Sequence, residues 1–376
     1  LDSIAAFEKK QPQSPLLWNY RGAAYIGKKD AAKARNSFNQ ALKLDPQFFP
    51  AVANLAQLDL VDGEPAKARM RFESMLKADP SHLQAMLALA DLSLRDKDEK
   101  AYLGWLEKAA RAHPKSLPPR EGMTRYLLSK GEKTKAMAVA RAAVEANPDN
   151  PAALNLLGTA QLAAGDASSA VSTFAMVTKK LGQSPDAYLR LALAQLEDKQ
   201  PDAARASLQT ALRLNPDHLQ SQDTLLRLEL AEKKPDAALR IARQVQTRHP
   251  GSPLGFDREA DIQLTQKRLP EAIKAYEQAI ERGAGSAGMI KLFRAEVLSR
   301  NTKRAEQRIN EWLEQHPQDN AVRAHAAEYY LANGRNREAI AHYAEIERLA
   351  PGNAVVLNNL ANLYLRENDS RALATA

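Results

Sequence analysis

The chain of 376 residues contains no cysteine. Disulfides, thiolate nucleophiles and cysteine metal sites are therefore excluded. The absence does not decide the compartment, because a helical repeat protein needs no disulfide in any. Long apolar runs are missing too. The longest uncharged run, residues 150–165, is broken by Asn155, Thr159 and Gln161. No stretch has the roughly 18 apolar residues that mark a membrane-spanning helix. The sequence opens without an initiator methionine, a basic n-region or an apolar h-region, so no targeting signal is expected within these residues.

Charge of one sign is also scarce. Lys and Arg number 53 against 45 Asp and Glu, a formal net charge of +8. The signs interleave, and the two most basic stretches, 67–77 and 291–308, both contain acids. A surface that tracks nucleic-acid phosphates needs a denser basic stripe, so nucleic acid is not an expected partner. Catalytic motifs are absent: neither H-E-x-x-H nor G-x-S-x-G occurs. Residues 283–288 match G-x-G-x-x-G. A phosphate-cradling loop needs a strand before it, whereas a helical pattern precedes this one. Met289 and Ile290 also stand where a P-loop needs Lys and Ser or Thr. The seven histidines recur near repeat boundaries and do not converge. His325 and His342 fall on different helices of one repeat and do not make a metal site. No catalytic, cofactor-binding or metal residue is expected, and the chain reads as non-enzymatic.

What is present is a period. Prolines stand at 12, 46, 80, 114 and 148, each 34 residues after the last; Gly182 takes the next place, and Pro216 and Pro250 resume it. Ala284 follows, then Pro317 and Pro351, one residue early and then 34 apart. Within residues 15–46, Trp18, Gly22 and Tyr25 share one helix face. Lys28, Lys29 and Asp30 break the pattern, with Asp30 placed as an N-cap. Ala34, Phe38, Ala41 and Leu42 share the face of a second helix that must stop before Pro46. Small residues at Gly22 and Ala34 let two antiparallel helices meet, and Trp18 is expected to fill the core beside them.

A 34-residue helix–turn–helix period with Trp18, Gly22, Tyr25, Ala34, Phe38, Ala41 and Pro46 at slots 4, 8, 11, 20, 24, 27 and 32 resembles the tetratricopeptide (TPR) repeat family. Arg21, at slot 7, departs from the usual leucine. The resemblance implies an all-α solenoid, a right-handed superhelix of antiparallel helix pairs. One domain, 1–376, is expected: a half-repeat 1–14, ten full repeats over 15–353 and a truncated repeat 354–376. Neither end reads as a polar cap, so the chain is expected to be a piece of a longer protein. Tyr102 replaces the small residue at slot 20 of the third repeat, and is expected to spread that helix pair.

In TPR proteins the first helices line a groove, and slots 5, 6 and 9 tend to face it. By that resemblance the partner-binding residues are Asn19, Asn54, Gln57, Asp91, Arg125, Asn155, Arg190, Asp223, Arg227, Asp257, Arg258, Asp261 and Arg294, centred on repeats five to eight. Their mixed charge suits an extended peptide or a protein surface. The alternative is that they only pair with one another. No repeat has Lys at slot 5, which disfavours recognition of heat-shock chaperone tails. The runs 45–56, 147–151 and 358–374 resemble the exosortase-associated (PEP-CTERM system) TPR lipoproteins of bacteria. That resemblance implies an interaction scaffold on the periplasmic side of the cell envelope, linked to exopolysaccharide production or export and to protein sorting. Membrane attachment would be through a lipid anchor outside this chain. Contact with polysaccharide, through Tyr20 and Phe256, and a cytosolic adaptor role are the alternatives.

Overall fold

The computed structural model describes residues 13–372. Twenty-one α-helices occupy them, with no strand among the described residues. In the repeats of the first half, α1 (Pro15–Gly27) pairs with α2 (Ala31–Leu44), α3 (Phe49–Val61) with α4 (Pro65–Ala78), α5 (Leu83–Arg95) with α6 (Glu99–Ala112), α7 (Pro118–Ser129) with α8 (Lys133–Ala146), and α9 (Pro151–Ala164) with α10 (Ala167–Lys180). Then come α11 (Pro185–Glu197), α12 (Pro201–Leu214), α13 (Leu219–Ala231), α14 (Pro235–Arg248), α15 (Leu254–Thr265), α16 (Leu269–Glu281), α17 (Gly285–Leu298), α18 (Thr302–Gln315), α19 (Asn320–Ala332), α20 (Asn336–Leu349) and α21 (Ala354–Arg366). Residues 1–12, most of the expected half-repeat 1–14, and 373–376, the end of the expected truncated repeat 354–376, lie outside the described residues.

The chain forms two compact units, one of residues 1–182 with 193–200, the other of 183–192 with 201–376. In both, the core is built at fixed slots. Alanine at slot 20 is fully buried in nine repeats, at Ala34, Ala68, Ala136, Ala170, Ala204, Ala238, Ala272, Ala305 and Ala339. A side chain of that size lets the two helices of a repeat approach closely. Beside it a large residue at slot 24, such as Phe38, Phe174 or Tyr276, is also buried.

Tyr102 does not spread its pair. It shares a core cluster with Ala90 and Leu106 and is itself buried. Its ring leaves its own repeat and reaches the next, where its hydroxyl donates to the Gly122 carbonyl at 3.4 Å. Gly122 has no side chain to obstruct it. Trp18 packs against the core cluster of Ala34, Phe38 and Ala41 as expected, but is only partly buried, with the Arg21 guanidinium 4.7 Å above its ring. Leu17, one residue earlier, is the fully buried anchor of the first repeat.

Each turn between paired helices closes the same way. The backbone N–H at slot 16 donates to the carbonyl at slot 11, as in Asp30 to Tyr25 (2.9 Å), Asp98 to Ser93 (2.9 Å), Arg268 to Gln263 (2.9 Å) and Arg335 to Tyr330 (2.9 Å). This helix-terminating bond requires a left-handed residue just before it. Slot 15 supplies it, as glycine at Gly63, Gly131, Gly165 and Gly334, and as lysine at Lys29, Lys97, Lys199, Lys233 and Lys267. Asp30, Asp98 and Asp166 then cap the second helix by accepting from Lys33, Ala101 and Ser169 N–H.

Arginines tie one repeat to the next. Arg35 on α2 donates to Asp59 on α3 (2.7 Å) and to Asp62 just after it (2.6 Å). Arg205 on α12 bonds Glu229 on α13 (2.7 Å) and Glu232. Asp59 and Glu296 are each about 1% exposed, and neither is left without a cation: Arg71 joins Arg35 on Asp59 at 2.5 Å, and Arg308 reaches Glu296 at 2.6 Å.

Candidate interaction face

In both units the first helices present slots 5, 6 and 9 to the same face, and slot 5 of one repeat meets slot 6 of the next. In the first unit the Asn54 amide donates to Asn19 Oδ1 at 2.9 Å. In the second, Arg258 on α15 grips Asp223 on α13 through Nε (2.7 Å) and Nη2 (3.4 Å). Lys291 on α17 then grips Asp257 on α15, with Nζ 2.8 Å from both carboxylate oxygens. The ladder has a physical cause. Repeats of 34 residues place slot 5 and the following slot 6 on neighbouring helices at nearly the same height, within reach of a hydrogen bond.

Asp261 completes a cluster in the second unit. It accepts from Lys291 Nζ at 2.9 Å and from the Tyr276 hydroxyl at 2.6 Å. The Arg258 guanidinium lies 3.7 Å from both Asp257 and Asp261. Three carboxylates therefore face two cations and one phenol. The Asp223 hydrogen bond raises the Arg258 pKa. Burial alone would lower that of Lys291, but the bonds from Asp257 and Asp261 more than offset it, and the net shift is upward. Burial, then the bond to Asp261, raises that of Tyr276.

Of the expected face residues, Asn19, Asn54, Asp223, Asp257, Arg258 and Asp261 pair with one another. Gln57, Asp91 and Arg125 stand exposed on the first unit, and Arg190, Arg227 and Arg294 on the second. Among the described residues Arg227 and Arg294 hold no side-chain hydrogen bond or ion pair. Asn155, half-buried, lies in the first unit and Arg190 in the second. Lys291, which the family pattern puts on this face at slot 6 directly after the slot-5 Asp257, and Tyr276 also belong to the cluster; Tyr276 sits on a second helix and gave no sequence signal.

Other sequence candidates take structural places. Phe256 is buried with the Arg282 guanidinium 4.1 Å over its ring, so of the two suggested aromatic platforms only Tyr20 is exposed. His325 meets the edge of Phe293 (5.6 Å between ring centres), and His342 stacks on Tyr330 (5.4 Å); burial lowers the pKa of both. Among the described residues no group of three or more His, Asp or Glu side chains is placed to hold a metal ion. The glycine-rich stretch 283–288 follows α16 and opens α17, with Gly283 and Gly285 at positive φ, and is a turn between repeats. No helix among the described residues is long and apolar enough to cross a membrane.

This helix-pair ladder is the architecture of a repeat protein. The chain belongs to the tetratricopeptide repeat family: residues 15–48, 54–116 and 290–354 match the tetratricopeptide repeat, and 152–299 the tetratricopeptide repeat-like domain. Among solved structures, yeast Tom70 is similar over 99% of this chain and 94% of its own, at 15% identity and a TM-score of 0.50. A tetratricopeptide repeat protein from Parabacteroides merdae covers 65% of this chain and 97% of its own (16% identity, TM-score 0.47). YrrB, described as a TPR protein with an unusual peptide-binding site, covers 50% and 96% (21% identity, TM-score 0.37). These likenesses concern the fold alone. No match is found among curated proteins. TPR domains commonly mediate protein–protein interaction, and the family is generally non-enzymatic.

Proposed function

We propose that this chain is a non-enzymatic scaffold that holds an extended protein segment on the first-helix face of its second unit. One observation carries the reading. Arg227 and Arg294 stand exposed and unpaired beside a bed of Asp223, Arg258, Asp257, Lys291 and Asp261 that is already fixed by its own hydrogen bonds. Side chains held in place lose little freedom on binding, and the two free arginines remain to meet carboxylates. Each exposed ion pair is worth only about 0–1 kcal/mol, so a partner must engage several rungs together.

The setting we propose is a bacterial cell-envelope assembly on the periplasmic side, linked to exopolysaccharide production or export and to protein sorting. Its support is the likeness of runs such as 358–364 (NNLANLY) to the exosortase-associated lipoproteins. A pull-down from bacterial envelope extract, with this chain as bait, tests both parts. Recovery of an envelope protein supports the reading. Recovery of cytosolic proteins alone, or binding to a glycan array with no protein recovered, contradicts it.

A further inference from the structure

The turns inside the repeats form an edge of each unit, because equivalent slots of stacked repeats fall in a row. The two units differ in what that edge carries. In the first, the turns 28–30, 62–64, 96–98, 130–132, 165–166 and 198–200 hold five cations and eight anions, and the anions are occupied. Lys33 holds Asp30 (2.8 Å), Arg35 Asp62 (2.6 Å), Lys67 Glu64 (2.7 Å), Arg69 Asp96 (2.8 Å) and Lys135 Glu132 (2.5 Å), Asp98 and Asp166 cap helices, and Asp198 accepts from Gln200.

The second unit reverses this. Turns 232–234, 266–268, 299–301, 333–335 and 367–369 hold six cations and three anions, and the anions are occupied, so most of the cations have no counter-charge within the edge. Lys234 holds Glu232 (2.7 Å), Asn336 donates to Glu367 (2.9 Å), Arg371 holds Asp369 (2.5 Å), and Arg335 is held by Glu306 and Glu338. Lys233, Lys267, Arg268 and Arg300, on three successive turns, are exposed and hold no ion pair among the described residues, as does Lys303 just beyond. Lys233, Lys267 and Arg300 all sit at the left-handed slot 15, with φ of 58°, 62° and 61°. The same backbone position in these three repeats thus places a cation at the tip of the turn.

We infer that this edge is a second docking surface, separate from the first-helix face, and that its partner is an extended acidic protein segment. The charge chooses the sign. The choice among anionic partners rests on what accompanies the charge. No aromatic residue lies in these turns on which a nucleobase could stack. Leu298, 61% exposed, is the large apolar side chain standing out beside the row, whereas a membrane-seated surface sets several such residues beside its cations. A second copy of this chain would have to offer its own acidic edge, and those acids are already engaged. Neighbouring helices pack about 8–10 Å apart, and an extended chain rises about 3.3 Å per residue. An acid at about every third residue therefore meets successive turns.

The test uses the full chain and a short fluorescein-labelled peptide with glutamate at every third position, read by fluorescence anisotropy. Lys233→Glu, Lys267→Glu, Arg268→Glu and Arg300→Glu are introduced together, with circular dichroism to confirm that the repeats still fold. The expected result is binding that weakens with salt, falls about tenfold or more in the edge variant, and falls less in Arg227→Glu with Arg294→Glu. A glutamine version of the peptide should not bind. Equal binding of the peptide to wild type and edge variant would overturn the inference. So would binding of anionic phospholipid vesicles without binding of the peptide, or self-association of the chain that the edge variant abolishes. Loss of binding in the Arg227/Arg294 variant alone would assign the peptide to the first-helix face instead.

Discussion

Phe174 occupies the space that a side chain on Gly158 would need: a Cβ there would lie 2.7–2.9 Å from three atoms of the ring. Alanine is worth about 1 kcal/mol over glycine in an exposed helix. Here the clash reverses the sign. Gly158→Ala is expected to destabilise the first unit by about 1–3 kcal/mol, and Phe174→Leu added to it should recover part of the loss. Thermal denaturation of the two single variants and the double variant measures this. Additive losses would show that the two residues do not share the space.

The left-handed lysines give a prediction of opposite sign. Lys97, with φ 60°, bears a side-chain penalty of about 1–2 kcal/mol that glycine avoids. Lys97→Gly should therefore stabilise its repeat by up to about 1 kcal/mol, once the greater freedom of glycine in the unfolded chain is counted. Gly165→Ala, at φ 88°, should destabilise. Hydrogen exchange at α5 and α6 reads the first change. Faster exchange in Lys97→Gly would contradict the account.

Two buried carboxylates at the same slot should respond to pH in opposite ways. Burial alone would raise the Asp59 pKa, but bonds from Arg71 and Arg35 more than offset it, and its pKa lies below the ordinary 3.8. Its contribution is present above the ordinary value and is lost as pH falls through the folded value. Burial raises the Glu296 pKa above the ordinary 4.5 despite Arg308. That contribution is full below the ordinary value and is lost as pH rises through the folded one. Asp59→Asn should destabilise at pH 7, and the difference should fade in acid. Glu296→Gln should be neutral or stabilising at pH 7, and its difference too should fade in acid. Denaturant titrations across pH 3–8 test both, and a large loss in Glu296→Gln at pH 7 would refute the assignment.

The first repeat distinguishes Leu17 from Trp18. Leu17 is fully buried and Trp18 half-exposed. Leu17→Ala should cost about 2–5 kcal/mol in that repeat, and Trp18→Ala less. A greater loss at Trp18 would return the anchor to it.

These residues show where the sequence was legible and where it was not. The period of small residues and prolines placed the helices almost residue by residue, as with α2 at Ala31–Leu44. In the fourth repeat the helix α7 begins at Pro118, with Leu117 as its cap. Tyr102 misled because volume was judged against its own repeat, while its space lies in the next, over Gly122. The face slots were readable from the family pattern, but their pairing was not. Whether Arg258 is free or bound to Asp223 depends on helix spacing, which no single repeat records. Of the unpaired cations of the second unit's edge, Arg300 and Lys303 fall in the basic stretch 291–308 while Lys233, Lys267 and Arg268 lie outside it, and their freedom appears only once the partners of each neighbouring acid are known.

The most direct measurement is the affinity of the recovered partner for the intact chain and for the Arg227→Glu, Arg294→Glu variant, by isothermal titration at low and moderate salt. The account predicts binding that weakens with salt and falls at least tenfold in the variant, with the cluster of Asp223, Arg258, Asp257 and Lys291 left folded. Equal affinity in wild type and variant would contradict the first-helix face as the binding surface.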